Sequence, residues 1–184
     1  MKKIFLILNL TICYLASFSQ QLGTFTDTRD GKIYKTVKIK NQIWMAENLA
    51  FKPDNGNYWA PVDNKNNVAK YGYLYDLQTA NKVCPIGWHL PSKEEIDTLL
   101  QNVGGKGSNA SNALIPTGNS GFSALFAGFR NFNGTSASFS SIGSGAFFWS
   151  SSAYFFYVWE KDAGVILSYT DVSKCGYSVR CIKD

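Results

Sequence analysis

One stretch of this chain carries a complete helical signature, and the Gly-, Ser- and Asn-rich stretch after it limits the fold more than the helix does. Ser92-x-x-Glu95 is a capping box: the serine oxygen accepts an orphan backbone N–H, and the glutamate reaches back to the serine N–H. Ile96, Leu99, Leu100 and Val103 then fall at i, i+3, i+4 and i+7, a single apolar face. Glu94, Glu95 and Asp97 suit the positive end of the helix dipole and read as stabilisers, not catalysts. Gly104-Gly105 ends the helix. From there to residue 145 the chain is rich in Gly, Ser and Asn, with Phe122, Phe126, Phe129, Phe132 and Phe139 set singly among them. That texture predicts long loops pinned by aromatic plugs, with little regular structure.

The other segments read mostly as short strands. Asp30-Gly31 is a turn signal, and Ile33 to Ile39 alternates β-branched and aromatic residues with lysines. A break at Asn41-Gln42 precedes Ile43-Trp44-Met45, which makes an N-terminal hairpin. Lys32, Lys35, Lys38 and Lys40 are its solvated face. Residues 53–67 form a polar loop carrying Tyr58 and Trp59. Tyr71 to Tyr75 reads as a strand and Asp76 to Val83 as a second, short helix. Late strands are expected at 147–149, 154–159, 165–169 and 177–182, with a turn at Asp162-Ala163-Gly164. Strands, two helices, loops and strands in that order predict an α+β domain, not alternating βαβ units.

The first residues address the protein elsewhere. Met1-Lys2-Lys3, an apolar stretch from Ile4 to Ile12 and small residues at Ser17 and Ser19 make a secretory signal, with cleavage after Ser19 leaving Gln20 or Gln21 first. The lysines come before the apolar stretch, which argues against a buried strand. The stretch is too short to span a bilayer, so no membrane span is expected once the signal is removed. Cys13 offers a lipoprotein signal as a rival, but Leu10-Thr11-Ile12 lacks the small residue wanted just before the cysteine. The expected organisation is a signal peptide at 1–19 and one domain at 20–184, secreted or held at the cell surface or in the periplasm. Losing Lys2 and Lys3 reduces 18 basic residues to 16 against 13 acidic ones, a net charge of +3. The basic residues are scattered, and with export this excludes a nucleic-acid partner.

Three cysteines remain, Cys84, Cys175 and Cys181. An oxidising compartment favours a disulfide, but spacing leaves all three pairings open. With no Cys-x-x-Cys and with His89 as the only histidine, no zinc site is expected. Neither a Gly-x-Ser-x-Gly elbow nor a P-loop occurs, and His89 beside Trp88 and Leu90 reads as a packed residue. Asp54, Asn55, Asn57, Asp63 and Asn64 could offer oxygens to a cation, but a solvated loop is the preferred reading. No cofactor, metal or catalytic residue is assigned.

Five stretches in order resemble the Fibrobacter succinogenes major paralogous domain. They are FTDTRDGKIYKTVKIKNQIWMAENL (25–49), YGYLYDLQTANKVCPIGWHLPSKEEIDTLL (71–100), GFSALFAGFR (121–130), FFWSSS (147–152) and GYSVRCIKD (176–184). The resemblance implies a secreted or surface protein with no settled activity. Cys84-x-x-Gly87-x-x-Leu90 with Ser92-x-x-Glu95 and Leu99-Leu100 is similar to the second-helix region of C-type lectin domains. Trp149-Ser150 looks like their central tryptophan strand. Val179-Arg180-Cys181 looks like their closing strand, and also like the end of the formylglycine-generating enzymes. The resemblance implies a C-type-lectin-like single domain with two helices, small twisted antiparallel sheets and long loops. It also implies a Cys84–Cys181 staple that leaves Cys175 free. In the chain-entropy model such a loop is worth roughly 4–5 kcal/mol. The calcium-site signatures of such lectins, Glu-Pro-Asn or Gln-Pro-Asp and then Trp-Asn-Asp, are missing. So is the reactive cysteine pair of the formylglycine enzymes.

Aromatic residues make up 15% of the chain, so the ligand candidates are aromatic. Sugar rings stack on Trp and Tyr while their hydroxyls seek Asn, Asp and Ser. Tyr58 and Trp59 in the polar loop, and Tyr157 and Trp159 on a late strand, meet that demand. By strand alternation Phe155, Tyr157 and Trp159 share one face, opposite a more core-like Tyr154, Phe156 and Val158. Trp59 and Trp159 fit a core plug or a binding surface equally, whereas Trp44, Trp88 and Trp149 read as core. Arg180 in a central strand should need a carboxylate, which Glu47 or Asp76 could supply as a structural ion pair. The functional expectation is a non-enzymatic binding module for a glycan or a surface protein. The alternatives are a structural or adhesive envelope protein without a small ligand, and a degenerate relative of the formylglycine-generating enzymes.

Overall fold

The computed structural model describes residues 21–160, 164–169 and 174–184. The leader expected at 1–19, with Cys13, and the Asp162-Ala163 part of the expected turn lie outside the described residues. Strands β1 (Gln21–Thr26), β2 (Ile33–Ile39) and β3 (Gln42–Met45) come first. β4 (Tyr58–Trp59), two 3-10 turns (Pro61–Asp63 and Lys65–Asn67), α1 (Val68–Tyr71), β5 (Leu74–Tyr75), α2 (Leu77–Val83) and β6 (Trp88–His89) come next. Then come α3 (Lys93–Asn102), α4 (Ser108–Leu114), β7 (Ala127–Phe132), β8 (Ala137–Ile142) and β9 (Gly145–Trp149). β10 (Tyr154–Trp159), β11 (Val165–Tyr169), β12 (Tyr177–Ser178) and β13 (Ile182–Lys183) close the order. The architecture is α+β, with curled sheets and one disulfide.

One sheet runs β1-β2-β3-β13-β6, and a larger one runs β11-β10-β9-β12-β5-β4 with β7 and β8 joined through β9. Most pairs are antiparallel, as expected, but β12 meets β9 in parallel at Ser178 and Phe148, and β7 meets β9 in parallel at Gly128 and Ala146. The expected hairpin pairs Val37 with Trp44, and its Lys35, Lys38 and Lys40 face solvent. The run Tyr177 to Ile182, expected as one strand, is divided. Its first two residues lie between β9 and β5 in the large sheet, and Ile182 lies between β3 and β6 in the small one. Between them the chain stays hydrogen-bonded, with Leu49 N–H donating to Val179 O and Met45 N–H to Cys181 O.

α3 forms as its sequence dictates. Ser92 Oγ accepts from Glu95 N at 3.1 Å, and Glu95 Oε2 accepts from Ser92 N at 2.8 Å. Ile96, Leu99 and Leu100 are buried against the core, each worth roughly 1.5–3 kcal/mol of burial. Asp76 caps α2 by accepting from Thr79 N. The expectation of two helices is corrected to four among the described residues, adding α1 and α4. α4 has no side-chain cap and a polar sequence, SNASNAL, but Ala110 and Leu114 are buried; packing rather than propensity makes it a helix. β7 and β8 likewise fall in the stretch expected to be loop. Gly128, at φ +66, permits that hairpin: a Cβ there would lie 2.2 Å from Ser140 O.

Two cores result. One gathers α3, α4, Trp44, Phe122, Phe148, Phe156 and Val158. The other gathers Tyr34, Leu49, Tyr75, Trp88, Trp149, Tyr177 and Cys181. Trp44 and Trp149 are fully buried, and Trp149 Nε1 donates to Tyr75 O at 2.7 Å.

Candidate functional site

Cys84 at the end of α2 and Cys181 just before β13 form the disulfide, their Cα atoms 5.9 Å apart across 97 positions of sequence. Cys175 is a free, buried thiol.

Beside the disulfide, Arg180 is completely buried. Nε donates to Asn48 Oδ1 at 2.7 Å, Nη1 to the carbonyls of Met45 and Phe122, and Nη2 to Ser123 O. The expected carboxylate ion pair is therefore corrected: four of the five N–H donors are taken by neutral oxygens. Burial lowers the guanidinium pKa to about 9, against a raising influence from the charge of Glu47, so the group is cationic at neutral pH. Glu47 is engaged elsewhere, accepting from Lys35 N at 2.7 Å. Asp76 accepts from Asn57 Nδ2 as well as from its own helix.

The Arg180 network supports the floor of a cleft of about 810 Å3, a volume ordinary for a ligand site. β1 and β2 form one wall, and residues 116–125 form another. Lys35, Thr36, Glu47, Lys70 and Ser123 are among the polar residues lining it. Ser123 has φ +52, a conformation that costs a non-glycine residue about 1–2 kcal/mol, and the bond from Arg180 to its carbonyl holds it there. The titratable side chains of the lining are Lys35, Glu47 and Lys70. Among the described residues no group of three or more His, Cys, Asp and Glu could hold a metal.

The four aromatic candidates fall into separate places. Tyr157 and Trp159 do come together on β10, half-buried, with Tyr157 5.4 Å and Trp159 5.5 Å from Phe147 by ring centroid. Phe156 and Val158 on the other face are buried, which is the predicted alternation. Tyr58 packs edge-on against Tyr73 at 5.0 Å. Trp59 rests on the backbone of Gly176, where a Cβ would lie 2.9 Å from its Cε3. Its ring is covered by the guanidinium of Arg130, Cζ 4.0 Å from the centroid. None of the four lines the cleft. Sequence reasoning missed Asn48, Lys70, Ser123 and Arg130. Ser123 and Arg130 lie within the GFSALFAGFR motif, but neither carries a periodicity or spacing signal.

His89 is gripped by two carboxylates. Nδ1 lies 2.6 Å from Asp184 Oδ1, and Nε2 lies 2.9 Å from Glu95 Oε1. Desolvation pulls the imidazole pKa down, but the hydrogen bonds to Asp184 and Glu95 outweigh it and raise it above the ordinary histidine value. With Ser92 also bonded to Glu95, the arrangement ties the start of α3 to residue 184 and engages both ring nitrogens of His89.

The family model of the Fibrobacter succinogenes major domain matches residues 37–183. The chain belongs to that family. In this Fibrobacter succinogenes major domain the matched span holds both disulfide cysteines, Arg180 and most of the cleft, but not the wall that β1 and β2 supply. No curated protein and no solved structure matches the chain. Among the described residues no helix is long and apolar enough to cross a membrane.

Proposed function

We propose that this protein is an exported, non-enzymatic binding module of the bacterial envelope, built on a C-type-lectin-like framework, and that its cleft takes a glycan. The observation that carries the reading is the cleft of about 810 Å3, lined by the hydroxyls of Thr24, Thr36 and Ser123 and by Lys35, Glu47 and Lys70. Such a lining meets sugar hydroxyls with hydrogen bonds, and it offers one carboxylate, Glu47, where glycoside hydrolysis ordinarily uses two. The cysteine chemistry agrees, since the formylglycine enzymes need a reactive pair and Cys84 and Cys181 are bonded to each other. Tyr157 and Trp159 become packing residues in this reading, and Trp59 is occupied by Arg130.

A glycan array tests the proposal, with Thr24→Trp placed on β1 to fill the cleft. Wild-type protein should bind a subset of neutral glycans without releasing new reducing ends, and Thr24→Trp should abolish that binding at an unchanged melting temperature. Binding to no glycan would support a structural or adhesive envelope role instead. Release of reducing ends would make the protein an enzyme.

A further inference from the structure

The β7–β8 hairpin presents a second surface whose residues do not line the cleft. Arg130 and Phe132 share one face of β7, and the register places Phe139 of β8 opposite Arg130 on that same face. Trp59 backs the guanidinium at 4.0 Å. Phe132 lies 5.8 Å from Arg130 Cζ and 5.5 Å from Lys174 Nζ. Arg130 uses Nη1 on Lys174 O at 3.1 Å; among the described residues its other side-chain N–H groups have no protein acceptor. Neither Arg130 nor Lys174 forms an ion pair among the described residues, although the Pro61–Asp63 turn packs against this hairpin. An indole-stacked guanidinium has lost its freedom before any ligand arrives, and its edge still offers a planar fork.

We infer that Arg130, Phe132 and Lys174 form a subsite for an acidic sugar, with Arg130 forking the carboxylate of a uronic acid, Lys174 adding charge and Phe132 meeting the apolar face of the sugar ring. A carboxylate fits the fork in bidentate fashion. A flat aromatic ring beside two cations suits a sugar acid better than an acidic peptide, whose carboxylates come without a flat apolar face.

Calorimetric titration of the purified protein with polygalacturonate oligomers, at about 0.15 M salt, tests the assignment. Neutral galactan and poly-glutamate serve as comparison ligands. Wild type should prefer polygalacturonate to both. Arg130→Gln, which keeps the stem but loses the charge, should weaken binding roughly tenfold or more, since a charge-assisted hydrogen bond is removed. Arg130→Lys should recover only part of that, because an ammonium has no fork. The same titrations in Thr24→Trp protein, whose cleft is filled, separate the two sites: binding lost there belongs to the cleft and binding kept there to this subsite, so failure of the cleft reading and failure of this one are distinguishable. In Thr24→Trp protein, equal binding of poly-glutamate, equal binding of neutral galactan, no binding of polygalacturonate, or an added Arg130→Gln change that leaves binding as it was would each overturn it.

Discussion

Two arginines divide this molecule. Arg180 lies in the passage between the two sheets, wholly buried, with four of its donors bound to oxygens brought from residues 45, 48, 122 and 123. Arg130 lies on a surface hairpin, half-buried, stacked on Trp59, with one acceptor. The first uses its hydrogen-bonding capacity to join distant segments, and so it is structural. The second is fixed in place while most of its capacity stays open, which is the condition of a residue that meets a ligand. The cysteines split the same way: Cys181, beside Arg180, is bonded, and Cys175, beside the Gly176 that pairs with Arg130, is free.

The contrast can be broken by measurement. Replacing Cys84 and Cys181 together by alanine should cost about 4–5 kcal/mol in chemical denaturation, because the loop spans 97 residues, whereas Cys175→Ser should cost far less. Arg180→Met should cost at least about 3 kcal/mol, since it strands three carbonyls and the Asn48 amide oxygen in the core. Arg130→Ala should cost only about 0.5–1 kcal/mol, the worth of an exposed cation–π contact. If the two arginine variants lose equal stability, the distinction fails.

The smallest effect belongs to His89. Its folded pKa is raised above the unfolded value, so the clasp with Asp184 and Glu95 contributes fully below about pH 6.5 and fades as pH climbs through the folded value. Melting temperature should therefore fall from about pH 6 to pH 8 in wild type, and by less in His89→Asn.

Local signals are legible from the residues alone. The Ser92–Glu95 box and the β10 alternation both act within a few positions of sequence, and both appear where the spacing puts them. The family resemblance supplies the Cys84–Cys181 pairing. What cannot be read depends on remote partners. Arg180 draws its oxygens from two remote segments, 45–48 and 122–123, so a nearby carboxylate is the natural but mistaken expectation. α4 is helical because its alanine and leucine are buried, and the β7–β8 hairpin needs Gly128 against Ser140, which no local pattern announces. Trp59 has the sequence surroundings of a platform for sugars because nothing near it in the chain foretells Arg130.

The division of residues 177–183 between the two sheets bears on how the protein is made. β12 fills a central slot in one sheet and β13 a central slot in the other, so neither can close on a nascent chain until the ribosome has passed Lys183. The hairpin synthesised first must wait for a neighbour synthesised more than a hundred residues later. Both sheets therefore stay open until this one short stretch is in place, and its arrival closes the two halves of the domain together.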